Sequence, residues 1–135
     1  MDRAREAELV EAARRARENA MCRYSGFAVG AALEAEDGAV YGGCNVENGT
    51  YGLTVCAERV AVWKALSEGV RRFRAVAVVT GADEPTPPCG ACRQILWEFA
   101  GDIDVVSSTL GGKVKRFKLR ELLPEPFEFE KDVRP

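Results

Sequence analysis

Hydrophobic and polar residues follow each other along this chain in blocks whose period changes, and each change marks an element. Residues 2–20 are rich in Ala, Arg and Glu with no Gly or Pro, and Leu9, Ala13, Ala16 and Ala20 recur at helical spacing. A helix there lays a narrow apolar stripe on a core. Apolar runs at 27–33 and 39–41 flank Glu36-Asp37-Gly38, the composition of a hairpin turn. Residues 42–52 hold glycines at 42, 43, 49 and 52 and read as a loop. Val55, Arg59, Val62 and Leu66 then share one face of a helix over 56–68, which Gly69 stops.

Residues 73–80 are mostly Val and Ala, as in a strand covered on both faces. A proline-rich connection over 81–88 leads to a second amphipathic helix at 89–99. Strands at 103–107 and 114–119 are joined by Gly111-Gly112, a tight turn that predicts an antiparallel pair. After Leu123 the tail carries Pro124, Pro126 and alternating Phe and Glu. The order α-β-β-α-β-α-β-β predicts an α/β three-layer sandwich, a mixed sheet of about five strands with helices on both faces. No repeat or linker divides the 135 residues, so 1–135 is read as one domain.

Composition narrows the class. With 47% hydrophobic and 30% charged residues, the chain can bury a core and has no run near the roughly 20 apolar residues that span a bilayer. It opens on Asp2, Arg3, Arg5 and Glu6, unlike a secretory leader, which predicts a cytoplasmic protein. A net charge of −2 argues against a protein built to grip nucleic acid. There is no histidine, which excludes every mechanism that needs an imidazole base. Five cysteines, at 22, 44, 56, 89 and 92, are an odd number and no disulfide framework.

Two of the predicted helices begin with cysteine, at Cys56-Ala57-Glu58-Arg59 and at Pro88-Cys89-Gly90-Ala91-Cys92. The positive end of a helix dipole favours a thiolate there, and the spacing of Cys89 and Cys92 puts both sulfurs on one face. If the two helices lie side by side, three thiolates meet, and Zn²⁺ fits them with a fourth position left for water. Glu58 then stands beside that water as a carboxylate that need not bind metal. A redox pair at Cys89/Cys92, and a structural four-cysteine zinc using Cys44, are the alternatives; Cys22 and Cys44 also read as small buried hydrophobes. Charge counting adds Arg59. Three thiolates and Zn²⁺ sum to −1, which opposes deprotonation of the water, and a guanidinium next to the sulfurs offsets it.

Cys56-x-Glu58 followed by Pro88-Cys89-x-x-Cys92 resembles the signature of zinc-dependent nucleobase deaminases, with Cys where many members carry His. Phe27 to Ala32, Gly43 to Asn48, Tyr51 to Arg59, Pro88 to Gln94 and Leu122-Leu123-Pro124 all resemble the small homotetrameric cytidine deaminases; Gly49 and Thr50 depart from them. The resemblance implies a cytidine-deaminase-like catalytic domain with zinc on Cys56, Cys89 and Cys92. Glu58 shuttles protons, Phe27 stacks on the pyrimidine, and Asn45 and Glu47 bind the ribose 3′-hydroxyl. The backbone at Cys56 and Ala57 reads the base edge, while Tyr51 and Phe127 enter a neighbouring subunit's pocket. Arg59 occupies the position where three-cysteine members carry an arginine. The implied reaction is hydrolysis of cytidine and 2′-deoxycytidine to uridine and 2′-deoxyuridine with release of ammonia, zinc-activated hydroxide attacking C4, as in pyrimidine salvage. The implied partner is a small nucleoside, with no nucleic acid and no membrane. A deaminase of a modified nucleoside, a polynucleotide deaminase and a zinc-stabilised binding module are the alternatives to it.

Overall fold

The computed structural model describes residues 1–132. Its elements in chain order are α1 (Arg3–Arg17), β1 (Val29–Ala35), β2 (Val40–Cys44), α2 (Ala57–Ser67), β3 (Phe73–Thr80), α3 (Gly90–Ala100), β4 (Asp104–Thr109), β5 (Val114–Lys118) and the short helices α4 (Leu119–Leu122) and α5 (Phe129–Asp132). One sheet runs in the order β2-β1-β3-β4-β5. Its pairs are antiparallel except β3 with β4, which the crossover through α3 makes parallel.

The predicted three layers and the antiparallel last pair are present. Leu9 and Ala13 of α1 pack on one face of the sheet with Ala32, Ala75, Ala77, Val79 and Val106. Helices α2 and α3 cover the other face, where Ala57, Ala61, Val62 and Leu96 meet Ala31, Leu33, Val76 and Val105. Alternate residues of β3 thus serve two cores, which is why that strand has no polar break. Among the described residues, no helix is long and apolar enough to cross a membrane.

Several boundaries differ from the sequence-based expectation. Helix α1 ends at Arg17, so Ala20 falls outside it; Asp2 caps its start by accepting from Arg5 N at 2.9 Å. Strand β1 begins two residues later than its apolar run and extends to Ala35. Gly42 and Gly43, read as loop, belong to β2 and pair with Ala32 and Ala31. Their glycine character reflects packing. A Cβ on Gly43 would stand 2.4 Å from the Ala57 carbonyl oxygen, so α2 approaches the sheet there as only glycine allows.

Candidate active site

Both helices of the second face begin at the same end of the sheet, and each is entered through a cysteine. Cys56 precedes α2 and Cys89 precedes α3, both with extended backbone and no side-chain cap, so the sulfurs are free for another use. Cys56 Sγ lies 3.9 Å from Cys89 Sγ, and Cys89 Sγ lies 3.5 Å from Cys92 Sγ. All three fall within 4.8 Å of one another. Two sulfurs each roughly 2.3 Å from a tetrahedral zinc stand about 3.8 Å apart, so the cluster fits zinc as it stands. Cys44 is not in it, which removes the four-cysteine alternative.

Cys56 and Cys92 hold their protons unequally. Cys56 is held down to about 5, by the Cys92 thiol that donates to it and by the Arg59 guanidinium, against the opposing effect of burial. Cys92, whose proton serves Cys56 and which is buried, is pushed up. Arg59 Nη2 lies 3.4 Å from Cys56 Sγ, and its Nε is buried with no hydrogen-bond partner among the described residues. That is the cation the charge count required. Glu58, in the first turn of α2, is 4% exposed. Burial pushes its carboxyl up to about 7; a backbone hydrogen bond opposes this, the Cys56 thiolate adds to it and Arg59 counters it.

Cys56, Cys89 and Glu58 line a pocket of about 280 Å³ with Phe27, Val29, Asn45, Glu47 and Ala57, near the lower end of the roughly 300–1,000 Å³ of small-molecule sites. Asn45 is buried and holds the Phe27 segment: its Oδ1 accepts from Val29 N at 2.9 Å and its Nδ2 donates to Phe27 O at 2.8 Å. Each of those atoms keeps one further hydrogen-bonding position. Glu47 accepts from Tyr24 N, Ser25 N and Ser25 Oγ at 2.5–3.1 Å. Those hydrogen bonds, the Ser25 hydroxyl's first, hold its carboxyl below the usual range.

The sequence-predicted residues therefore converge, with two exceptions. Tyr51 and Phe127 line no wall of this pocket. Tyr51, in the left-handed region at φ 54°, is 69% exposed and meets Tyr24 edge to face. Phe127 is half exposed, and its backbone is held by the Gln94 side chain at 2.8 and 3.0 Å. Sequence reasoning missed Ser25, Thr54, Val78, Thr80, Thr86 and Pro87, which complete the lining. The proline-rich connection into Cys89 was the signal for Thr86 and Pro87, and Thr54 lies inside the Tyr51 to Arg59 run; the others come from β3 and from a loop with no motif.

Over residues 3–109 the chain matches the model of the cytidine and deoxycytidylate deaminase zinc-binding region. The chain belongs to the cytidine and deoxycytidylate deaminase family. It is 48% identical over 124 residues to a cytidine deaminase of Sporosarcina psychrophila, covering 91% of each chain. With a cytidine deaminase of Halalkalibacterium halodurans it shares 49% identity over 123 residues, 90% of this chain and 93% of the other. The crystal structure of a cytidine deaminase from Burkholderia pseudomallei superposes with a TM-score of 0.88 at 46% identity, covering 94% of this chain and all of that one. Membership decides the cofactor as well: the sulfur cluster is the zinc site of a deaminase, and the redox alternative falls away.

Proposed function

We propose that this protein hydrolyses the 4-amino group of cytidine and 2′-deoxycytidine, releasing ammonia and leaving uridine and 2′-deoxyuridine. The observation that carries this reading is Glu58, a carboxylate buried beside three converging sulfurs inside a nucleoside-sized pocket. Cys56, Cys89 and Cys92 would hold zinc, which when bound would supply a water made acidic enough to attack near neutral pH. Glu58 takes the proton from that water and delivers it to N3 of the pyrimidine, which makes C4 electrophilic. Once the water oxygen has bonded to C4, Glu58 takes the remaining proton of that new hydroxyl and carries it to the 4-amino group, so that the C4–N bond breaks, ammonia leaves and the C4 carbonyl of uridine forms. A carboxyl near 7 suits a group that must both accept and release protons at neutral pH.

The remaining residues position the nucleoside. Phe27 offers an exposed ring to the base, and the Ala57 backbone lies at the start of α2 where a base edge would approach. The free positions on Asn45 and the carboxylate of Glu47 suit the ribose hydroxyls. The active unit in this reading is a homotetramer with closed symmetry, in which Tyr51 and Phe127 serve the pocket of another subunit. Their exposure, and their absence from their own chain's pocket, support that arrangement. Incubation of purified protein with cytidine, deoxycytidine and cytosine, followed by ultraviolet absorbance and accompanied by a zinc determination, tests the reading. Loss of the cytidine absorbance with close to one zinc per chain is expected; a zinc-loaded protein that leaves both nucleosides intact refutes it.

A further inference from the structure

Two hydroxyls in the pocket have no part in the chemistry above. Thr80 ends β3 and is 1% exposed. Its Oγ1 lies 3.2 Å from Oγ1 of Thr86, and both residues line the pocket that holds Glu58, Cys56 and Cys89. The direction of this hydrogen bond follows from the donors available. Ala82 N donates to Thr80 Oγ1 at 3.3 Å, so the Thr80 oxygen already accepts. A buried hydroxyl proton needs an acceptor of its own, and the Thr86 oxygen lies within reach of it. Thr80 therefore donates to Thr86, which leaves the Thr86 proton to be donated into the pocket. The neighbouring walls, Val29, Val78 and Pro87, offer that proton no side-chain acceptor.

Resting on the deaminase reading, the position of this donor relative to a pyrimidine can be worked out. C4 must face the sulfurs. Glu58, at the start of α2, serves N3, which lies on one side of C4. Thr86-Pro87-Pro88 leads directly into Cys89 at the start of α3, and so flanks C4 from the other helix. The ring atom on that side is C5. We infer that Thr80 and Thr86 form a polar subsite for the C5 edge of the base, where the Thr86 hydroxyl donates to an acceptor carried on C5. A cytidine with a 5-hydroxymethyl group is then preferred over one with a 5-methyl group. Thr86 touches the substrate, and Thr80 is a positioning residue that orients it.

The readout is the ratio of kcat/KM for 5-hydroxymethylcytidine to that for 5-methylcytidine, which cancels effects on the common chemistry. Thr86→Val keeps the shape and removes the donor, and should lower the ratio roughly three- to tenfold, the range a neutral hydrogen bond confers, mainly through KM. Thr80→Val should lower it in the same direction, and the double variant should fall no further than Thr86→Val alone. Thr86→Ser should keep the wild-type ratio, while Thr86→Ala loses it; this pair carries the test if the valine variant does not fold. Calorimetric binding of 5-hydroxymethyluridine against 5-methyluridine should show the same preference without turnover. An unchanged ratio in a folded Thr86→Val, or equal binding of the two uridines by wild type, overturns the subsite. Absence of cytidine turnover by wild type overturns the deaminase reading instead, and the uridine binding then judges the subsite by itself.

Discussion

Replacing Glu58 with Gln should disable the enzyme and stabilise the protein at once, because one carboxylate carries both the chemistry and a burial cost. The carboxyl is 4% exposed and sits near 7, against 4.5 for an ordinary glutamate. At about 1.4 kcal/mol per pH unit, that gap makes ionised Glu58 destabilising by about 3 kcal/mol. A raised carboxyl means that the folded state binds the proton more tightly than the unfolded one. The cost is therefore absent below about pH 4.5, grows between 4.5 and 7, and is complete above 7. A neutral amide resembles the protonated acid and avoids the penalty. Thermal unfolding of the metal-free proteins should show Glu58→Gln more stable than wild type at pH 8 by up to about 3 kcal/mol, and nearly equal to it near pH 5. In parallel, kcat on cytidine should fall by at least the roughly 10²–10⁴ of general acid–base catalysis. Zinc content and the circular dichroism spectrum should be unchanged. Near-normal turnover in a zinc-replete variant would refute the proton shuttle, and equal stability at both pH values would refute the burial argument.

Glu47→Ala should lower kcat/KM for cytidine roughly ten- to a hundredfold, as for a hydrogen bond to a charged group, and leave the poor reaction with free cytosine nearly unchanged; an equal fall for both would show that Glu47 does not read the sugar. Since its carboxylate also accepts from Tyr24 and Ser25, the variant should show faster hydrogen exchange at those two amides. Arg59→Gln should lower kcat far more than loss of an exposed charge does and loosen zinc. Adding Cys56→His should restore part of the activity, because imidazole removes the excess negative charge that Arg59 balances; a double variant no better than the single one would leave Arg59 a purely geometric role. Ending the chain before Pro126 removes Phe127 and should reduce activity while zinc is retained, and sedimentation equilibrium should place the full-length protein as a tetramer; a fully active monomer contradicts the shared site.

The parts of this protein that were legible in its sequence are those fixed by neighbours along the chain. Helical spacing in α2 and α3, the Glu36-Asp37-Gly38 and Gly111-Gly112 turns and the run of Val and Ala in β3 each express a local period or a local backbone demand, and each element stands where they put it. The sulfur trio was legible for the same reason, because a cysteine at a helix start and an i, i+3 pair are local patterns whose chemistry needs only that two helices lie side by side. Gly42 and Gly43 show the limit. Glycines read alone mean a loop; Gly43 is a strand residue because it pairs with Ala31, and a glycine because Ala57 O and Ala61 N come within 2.4–2.6 Å of where its Cβ would stand. Strand order was equally out of reach, since placing β1 between β2 and β3 depends on pairings between residues such as Leu33 and Val76 that are more than forty positions apart. Tertiary structure alone also decided the pocket's walls and charges. Thr80 meets Thr86, and Ser25 meets Glu47, through contacts no motif records, and Glu58 gains its carboxyl near 7 from a burial that its place at the polar start of a helix does not announce. Local sequence selects the elements and the reactive groups; their desolvation and their mutual orientation arise only when distant segments pack.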